Sequence, residues 1–417
     1  MKHNAKPHWL LAALLATSLP LQAAVTAEEA AKLKSTLTPV GAEKAGNKAG
    51  TIPAWDGGLA RDANAYDPAQ GYRDPYAADQ PLFSITAANA EQYREQLSPG
   101  QLAMLTRFSD SWKLNVYPTR RSASYPDKVY AAAKHNATSA KLIENGNGIA
   151  DFKLATPFPL PQSGLEVLWN HLVRYRGDSV KRYYAQAVPQ ASGDYFMTKI
   201  EDLFLFNEAA GDHSQSNGNV LFYFRQSVLA PARLAGTELL VHETVNQVKE
   251  PRLAWLYASG QRRVRRAPNV AYDSPGTSSD GMRTTDNFDM FSGAPDKYEW
   301  QLVGKKELYV PYNSYRLAAK SNKYSDIVKR GHVNPDLLRY ELHRTWVVEA
   351  NLRKGFSHPY AKRRFYIDED SWQILAADLY DKSGELTGVQ ESHPISYYDV
   401  PMFGSTLETI YDFKGKR

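Results

Sequence analysis

The sequence predicts a mainly β protein with helices, an α+β chain built around one large antiparallel sheet. Three observations lead there. From residue 179 onward the apolar pattern alternates with period two through about a dozen runs. No helical pattern separates most of those runs, so hairpins rather than crossovers connect them. Ahead of them, residues 24–162 are chain of another kind, with short helical patterns joined by Pro- and Gly-rich links.

The chain begins with a processing segment. Lys2 and Lys6 precede the apolar core "WLLAALLA" (9–16), and small residues follow at Ala23 and Ala24. This is the pattern of a secretory signal peptide over residues 1–23, too short to span a bilayer stably. Its removal takes two lysines off the formal charge of +5 and leaves +3. That modest charge and an exported destination argue against a nucleic-acid partner. There is no cysteine, hence no disulfide, no thiolate metal site and no lipid-acceptor thiol. The expected location is the periplasm of a Gram-negative envelope, without a lipid anchor.

Thr26 with Glu29 three positions on is a capping box and predicts a first short helix. "GAEKAGNKAGTIPAWDGGL" (41–59) reads as irregular chain laid over a surface. Helical patterns recur at 87–97, 99–112 and 125–137. "ATPFPLPQSG" (155–164), with three prolines in five residues, marks the boundary to a second domain over 163–417. Ser163 and Glu166 form another capping pattern. Leu165, Leu168, Trp169, Leu172 and Val173 then repeat at helical spacing up to Gly177, giving one wholly apolar face.

The strand runs follow: 179–189, 194–209, 219–229, 237–248, 252–258, 262–266, 298–310, 314–319, 339–353, 362–370, 372–381 and 386–394. Alternation places Val220, Phe222 and Phe224 on one side of their strand. It does the same for Tyr298, Trp300 and Leu302, and for Trp346, Val348, Ala350 and Leu352. A single helix cannot cover so many strands. The sheet closes on itself, or the N-terminal helices sit on it, or a ligand fills the gap.

Catalytic signatures are absent. "HETVN" (242–246) lacks the second His of a zincin and lies in a strand, and "GNGIAD" (146–151) lacks the third Gly of a dinucleotide fingerprint. No P-loop or nucleophile elbow occurs. An enzyme would need polar groups converging near His242 or His343. Asp368-Glu369-Asp370 between two strands reads as a solvated hairpin turn. We therefore expect no catalytic residue, no metal and no cofactor.

Two basic tracts stand out. Residues 251–272 hold five basic residues and no acid, with Arg262, Arg263, Arg265 and Arg266 closely spaced. Residues 350–367 carry Arg353, Lys354, Lys362, Arg363 and Arg364 and again no acid. Such arginines suit a basic rim for an anionic head group, or else solvate a sheet edge against aggregation. The loop at 274–295 is long, and its Phe288, Met290 and Phe291 either fold over a pocket as a lid or pin the loop by local packing.

Three blocks carry a family resemblance: "LTPVGAEKAGNKAGTIPAWDGGL", "WLYASGQRRVRRAPNVAYDSPGTSSDGMRTTDNFDMFSGAPDKYEWQLVGKKELYVPYNSY" and "YAKRRFYIDEDSWQILAADLYD". They resemble a bacterial exported domain-of-unknown-function family, number thirteen twenty-nine. That family is similar in turn to Lol-type (LolA/LolB-like) outer-membrane lipoprotein-sorting carriers. The resemblance implies a large curved antiparallel half-barrel, lidded by helices, whose concave apolar face holds acyl chains. It also implies an envelope pathway with a transporter of the resistance-nodulation-division type as partner. On this reading Phe222, Phe224, Trp255, Tyr257, Trp300, Trp346 and Val348 line one apolar cavity, Phe288, Met290 and Phe291 form the lid, and the four arginines form the rim. The protein is then a periplasmic carrier of a lipid or other hydrophobic ligand. The alternative is a structural or assembly protein whose residues 24–162 fill the cavity and whose basic hairpin docks a protein partner. The strand-like end "ETIYDFKGKR" implies an incomplete last strand.

Overall fold

The computed structural model describes residues 25–62, 64–206, 219–267, 273–276 and 279–415. Residues 1–23, where a signal peptide is expected, and residues 207–218 lie outside them. The chain is mainly β, 37% strand against 17% helix, with a curved antiparallel half-barrel.

Among the described residues four α-helices precede the long strands. They are α1 (Ala27–Ala31), α2 (Pro99–Arg107), α3 (Asp127–Ser139) and α4 (Gly164–Leu172). The Thr26–Glu29 capping box forms as its spacing predicts. At α4, Ser163 accepts the Glu166 N–H. The Glu166 carboxylate instead takes the N–H of Gln162, so only half of that box is made. Short strands β1 (Tyr66–Asp67), β2 (Gly71–Tyr72), β3 (Phe83–Ile85), β4 (Leu114–Val116), β5 (Lys141–Ile143) and β6 (Gly148–Ala150) are interspersed.

The long strands form a first meander, β7 (Ser179–Pro189), β8 (Tyr195–Phe206), β9 (Val220–Ala230), β10 (Glu238–Thr244), β11 (Leu253–Ala258) and β12 (Arg263–Arg266). A second comprises β13 (Tyr298–Pro311), β14 (Tyr340–Leu352), β15 (Lys362–Asp368), β16 (Ile374–Tyr380), β17 (Leu386–Tyr397) and β18 (Met402–Asp412). The single ladder expected from the alternation is thus divided in two, with sheet order 12-11-10-9-8-7 in the first. Pro275 and Pro295 deprive the connecting segment of donors, and β12 is too short to start a long hairpin. Strands β3 and β4 extend the second sheet through one parallel bridge, Tyr340 to Val116. Residues 24–162 therefore contribute strands to the second sheet as well as covering it. The run at 314–319, read as a strand, turns as a short helix, Tyr315–Ala318. The end of the chain pairs along β17 from Gly388↔Asp412 to Tyr397↔Met402.

The second sheet is covered on both faces. Leu308 and Val310 of β13, and Tyr312 just after it, point into a core with Val167 and Leu168 of α4. Tyr309 between them points into the opposite core with Met104 and Leu105 of α2. Each fully buried side chain of this kind contributes about 1.5–3 kcal/mol. The α4 contact is close because Gly164 has no side chain: a Cβ there would lie 2.9–3.0 Å from the backbone of Trp300 and Gln301. Among the described residues no helix is long and apolar enough to cross a membrane.

Candidate functional site

The ladder registers decide which candidate residues meet. In the first sheet Val180, Phe204, Phe224, Val241 and Ala254 are successive partners and so share one face. This packed face is aromatic, with the Phe204 and Phe224 rings 4.6 Å apart and Phe222 beside them at 5.6 Å. Trp255 pairs with Leu240 and Arg266, and Tyr257 with Glu238 and Val264. Both therefore lie on the opposite face, away from Phe222 and Phe224, because neighbouring residues on a strand alternate sides. There Trp255 continues an edge-to-face row of rings, 4.9 Å from His242, which is 4.8 Å from Tyr223.

Trp300, Trp346 and Val348 belong to the second sheet. Trp300 packs 5.1 Å from Phe291 and 5.8 Å from Phe365, and Trp346 stacks at 6.3 Å on Trp372. These side chains come together in a solid core beneath α4. The seven residues that the resemblance assigned to one cavity thus occupy three environments, because alternation gives parity within a strand but not which sheet a strand joins.

The 286–293 segment joins the two sheets. Phe288 packs on the first sheet, 6.2 Å from Phe224, while Met290 and Phe291 are buried in the core of the second. Ionic contacts pin it. The Asp286 carboxylate takes Arg363 Nη2 at 2.6 Å and His358 Nε2 at 3.0 Å. Asn287 exchanges hydrogen bonds with Gln390 at 3.1 and 2.7 Å. Asp289 accepts from Arg174 Nη1 at 3.0 Å and Arg176 Nη1 at 2.9 Å. Burial would raise the Asp289 carboxyl, but the two guanidiniums reverse this and hold it well below the usual range. Arg363, unpaired in its local sequence, is fully buried against Asp286, and Arg364 meets Glu349 at 2.8 Å.

Beside this segment one cavity of about 30 Å³ lies between Trp169, Leu172, Leu221, Phe222, Phe288 and Phe291. It has room for about two waters and none for an acyl chain. A wider groove of about 620 Å³ runs past His358 and Asp381, with Pro359 its one apolar lining residue.

The other face of the first sheet is open. Tyr183, Leu205, Leu240 and Val264 are exposed on it, and Tyr223, Trp255 and Tyr257 are half-buried. At its edge all four residues of β12 are exposed. Arg262, Arg263, Arg265 and Arg266 make no ion pair among the described residues, whereas Arg252 of the same tract meets Glu243.

The acidic turn is not solvated. Asp368, Glu369 and Asp370 are buried. Glu369 takes Lys305 at 2.7 Å and Arg344 at 3.2 Å, and Asp370 takes both arms of Arg121 at 2.9 and 2.7 Å. Burial, and then the Asp370 charge, push the Asp368 carboxyl up to about 7. The sequence reading missed this network because its cations come from positions as distant as Arg121. It had one signal, the apolar Trp372 and Ile374 directly after the acidic run.

The family model described as Protein of unknown function (DUF1329) matches residues 84–417. The chain belongs to this family. It is also 58% identical over 409 residues to an uncharacterized protein of Pseudomonas aeruginosa, covering 98% of this chain and 90% of that one. Three solved structures are similar in fold. A family member from Desulfovibrio piger has TM-score 0.39 and 14% identity, over 57% of this chain and 80% of that one. A putative outer membrane lipoprotein-sorting protein domain from Vibrio parahaemolyticus has TM-score 0.40 and 15% identity, over 60% and 85%. A LolA superfamily protein from Nitrosomonas europaea has TM-score 0.35 and 13% identity, over 60% and 86%.

Proposed function

We propose that this protein acts without catalysis in the bacterial periplasm, binding a lipid or other amphiphile and handing it between envelope components in lipid or lipoprotein sorting. The binding surface is the open face of the first sheet with its arginine edge, not an interior cavity. The observation that carries this reading is the juxtaposition of exposed Tyr183, Leu205, Leu240 and Val264 with the unpaired arginines of the β11–β12 hairpin. Each large apolar side chain removed from water contributes about 1.5–3 kcal/mol. Each arginine near an anionic lipid surface adds roughly 1 kcal/mol. A transporter of the resistance-nodulation-division type is the partner class for such a step.

A second reading has its own support. The interior beside the 286–293 segment is filled, with a cavity of about 30 Å³. On that reading the chain is an assembly protein, and the hairpin docks an acidic protein partner.

The deciding experiment is detergent-free purification with mass spectrometry of organic extracts, together with flotation on anionic and on zwitterionic vesicles. Co-purified lipid and salt-sensitive flotation on anionic vesicles, both lost in a Trp255→Ala, Tyr257→Ala variant, are expected. A lipid-free protein that floats with neither vesicle would replace this reading with the docking one.

A further inference from the structure

We propose that His343, Asp368 and Asp370 form a buried site for one divalent transition-metal ion, Zn²⁺ or Mn²⁺, taken up as the second sheet folds. This site lies in the second sheet and is independent of lipid binding on the first.

One ligand atom from each of the three residues lies within 4.8 Å of those of the other two. Donors about 2.1 Å from one tetrahedral ion stand ~3.4 Å apart, so closure draws the three side chains together by up to about an ångström. Three further observations point to a cation. The first is an orphaned atom. Asp368 Oδ2 accepts from Tyr312 at 2.9 Å and from Ser371 at 2.5 Å, but Oδ1 has no partner and the residue is fully buried. A buried carboxylate oxygen left unpaired is costly, and native proteins fill such positions.

The second is charge. Glu369 has Lys305 and Arg344, Asp370 has Arg121, and Glu341 has Arg339 at 2.6 Å. Asp368 alone in this cluster meets no Lys or Arg among the described residues.

The third is the setting of His343. Its Nε2 faces Glu341 Oε2 at 2.9 Å, and its ring stacks on Tyr312 with centroids 3.7 Å apart. Glu341 is itself fixed by Asn313 Nδ2 at 3.0 Å and the Arg120 N–H at 2.8 Å. A carboxylate at Nε2 fixes the proton there and leaves the Nδ1 lone pair for a metal, the outer-shell arrangement typical of ligating histidines. Asp370 keeps lone pairs beyond those used by Arg121. One imidazole nitrogen with two carboxylates favours Zn²⁺ or Mn²⁺ over Ca²⁺ or Mg²⁺, which prefer oxygen alone. Burial closes the route in, so the ion enters during folding and exchanges slowly afterwards.

The test starts with wild-type protein purified without chelator and analysed by inductively coupled plasma mass spectrometry. About one equivalent of Zn or Mn per chain is expected, retained against EDTA while folded and released on unfolding. Refolding with Zn²⁺ or Mn²⁺ should raise Tm over refolding in EDTA. Asp368→Asn and His343→Gln should each drop the metal content at least about tenfold. Folded wild-type protein without stoichiometric metal, and with the same Tm after refolding in EDTA, Zn²⁺ or Mn²⁺, would overturn the proposal and leave a proton on Asp368 as the neutralising charge. Neither wild-type measurement depends on a variant folding.

Discussion

The two sheets of this molecule are built from similar meanders and treated in opposite ways. The second is packed on both faces, and charges lie inside it, among them Asp286, Glu341, Arg363, Asp368 and Glu391. The first buries one aromatic face and leaves the other to solvent, with Tyr183 and Val264 each 64% exposed. An apolar strand pattern alone does not separate a core from an interaction surface. What separates them is whether helices and loops elsewhere in the chain land on the strand.

That contrast can be broken most severely at the ionic pins of the second sheet. Arg363→Ala leaves Asp286 buried without its guanidinium, with only His358 and Thr284 beside it, and should cost about 3–5 kcal/mol, read as a lower urea midpoint. Next comes the α4 contact: Gly164→Val forces side chain into the backbone of Trp300 and Gln301. It should cost about 1–3 kcal/mol, with a matching fall in Tm.

Glu391 of β17 sharpens the comparison through pH. Burial pushes its carboxyl up to about 7 from 4.5. Between those values the folded state keeps a proton that the unfolded state has released, so stability falls as pH rises through this window. Glu391→Gln removes that loss. The variant should gain on wild type, by an amount on the order of 1–3 kcal/mol, at pH 8 and not at pH 4. Equal gains at both pH values would remove the titration from the account.

The first sheet should respond least. Arg265→Glu with Arg266→Glu should move stability by no more than about 0.5 kcal/mol, since these arginines have no partner to lose. The same pair should abolish flotation on anionic vesicles. A large stability loss there would mean that the hairpin is part of the core after all.

Eleven of the twelve β7–β18 strands were legible as separate runs, and β7 matches residue for residue. The strongly periodic segments were readable because a half-buried strand must alternate. Trp255 and Tyr257 were grouped with Phe222 and Phe224 because their parity relative to β9 depends on the register of two hairpins. Arg363 looked like a surface charge because its partner, Asp286, lies 77 positions away.

The sequence by itself determined the family, the β class, the strand limits and the basic character of the β11–β12 hairpin, all of them properties of local composition and period. Only the tertiary structure decided that the meander splits into two sheets, that the 286–293 segment is clamped between them, and that Asp368 faces His343 in the interior. Those outcomes rest on contacts between residues far apart in the chain, and their energies come from burial and charge pairing that no local pattern encodes.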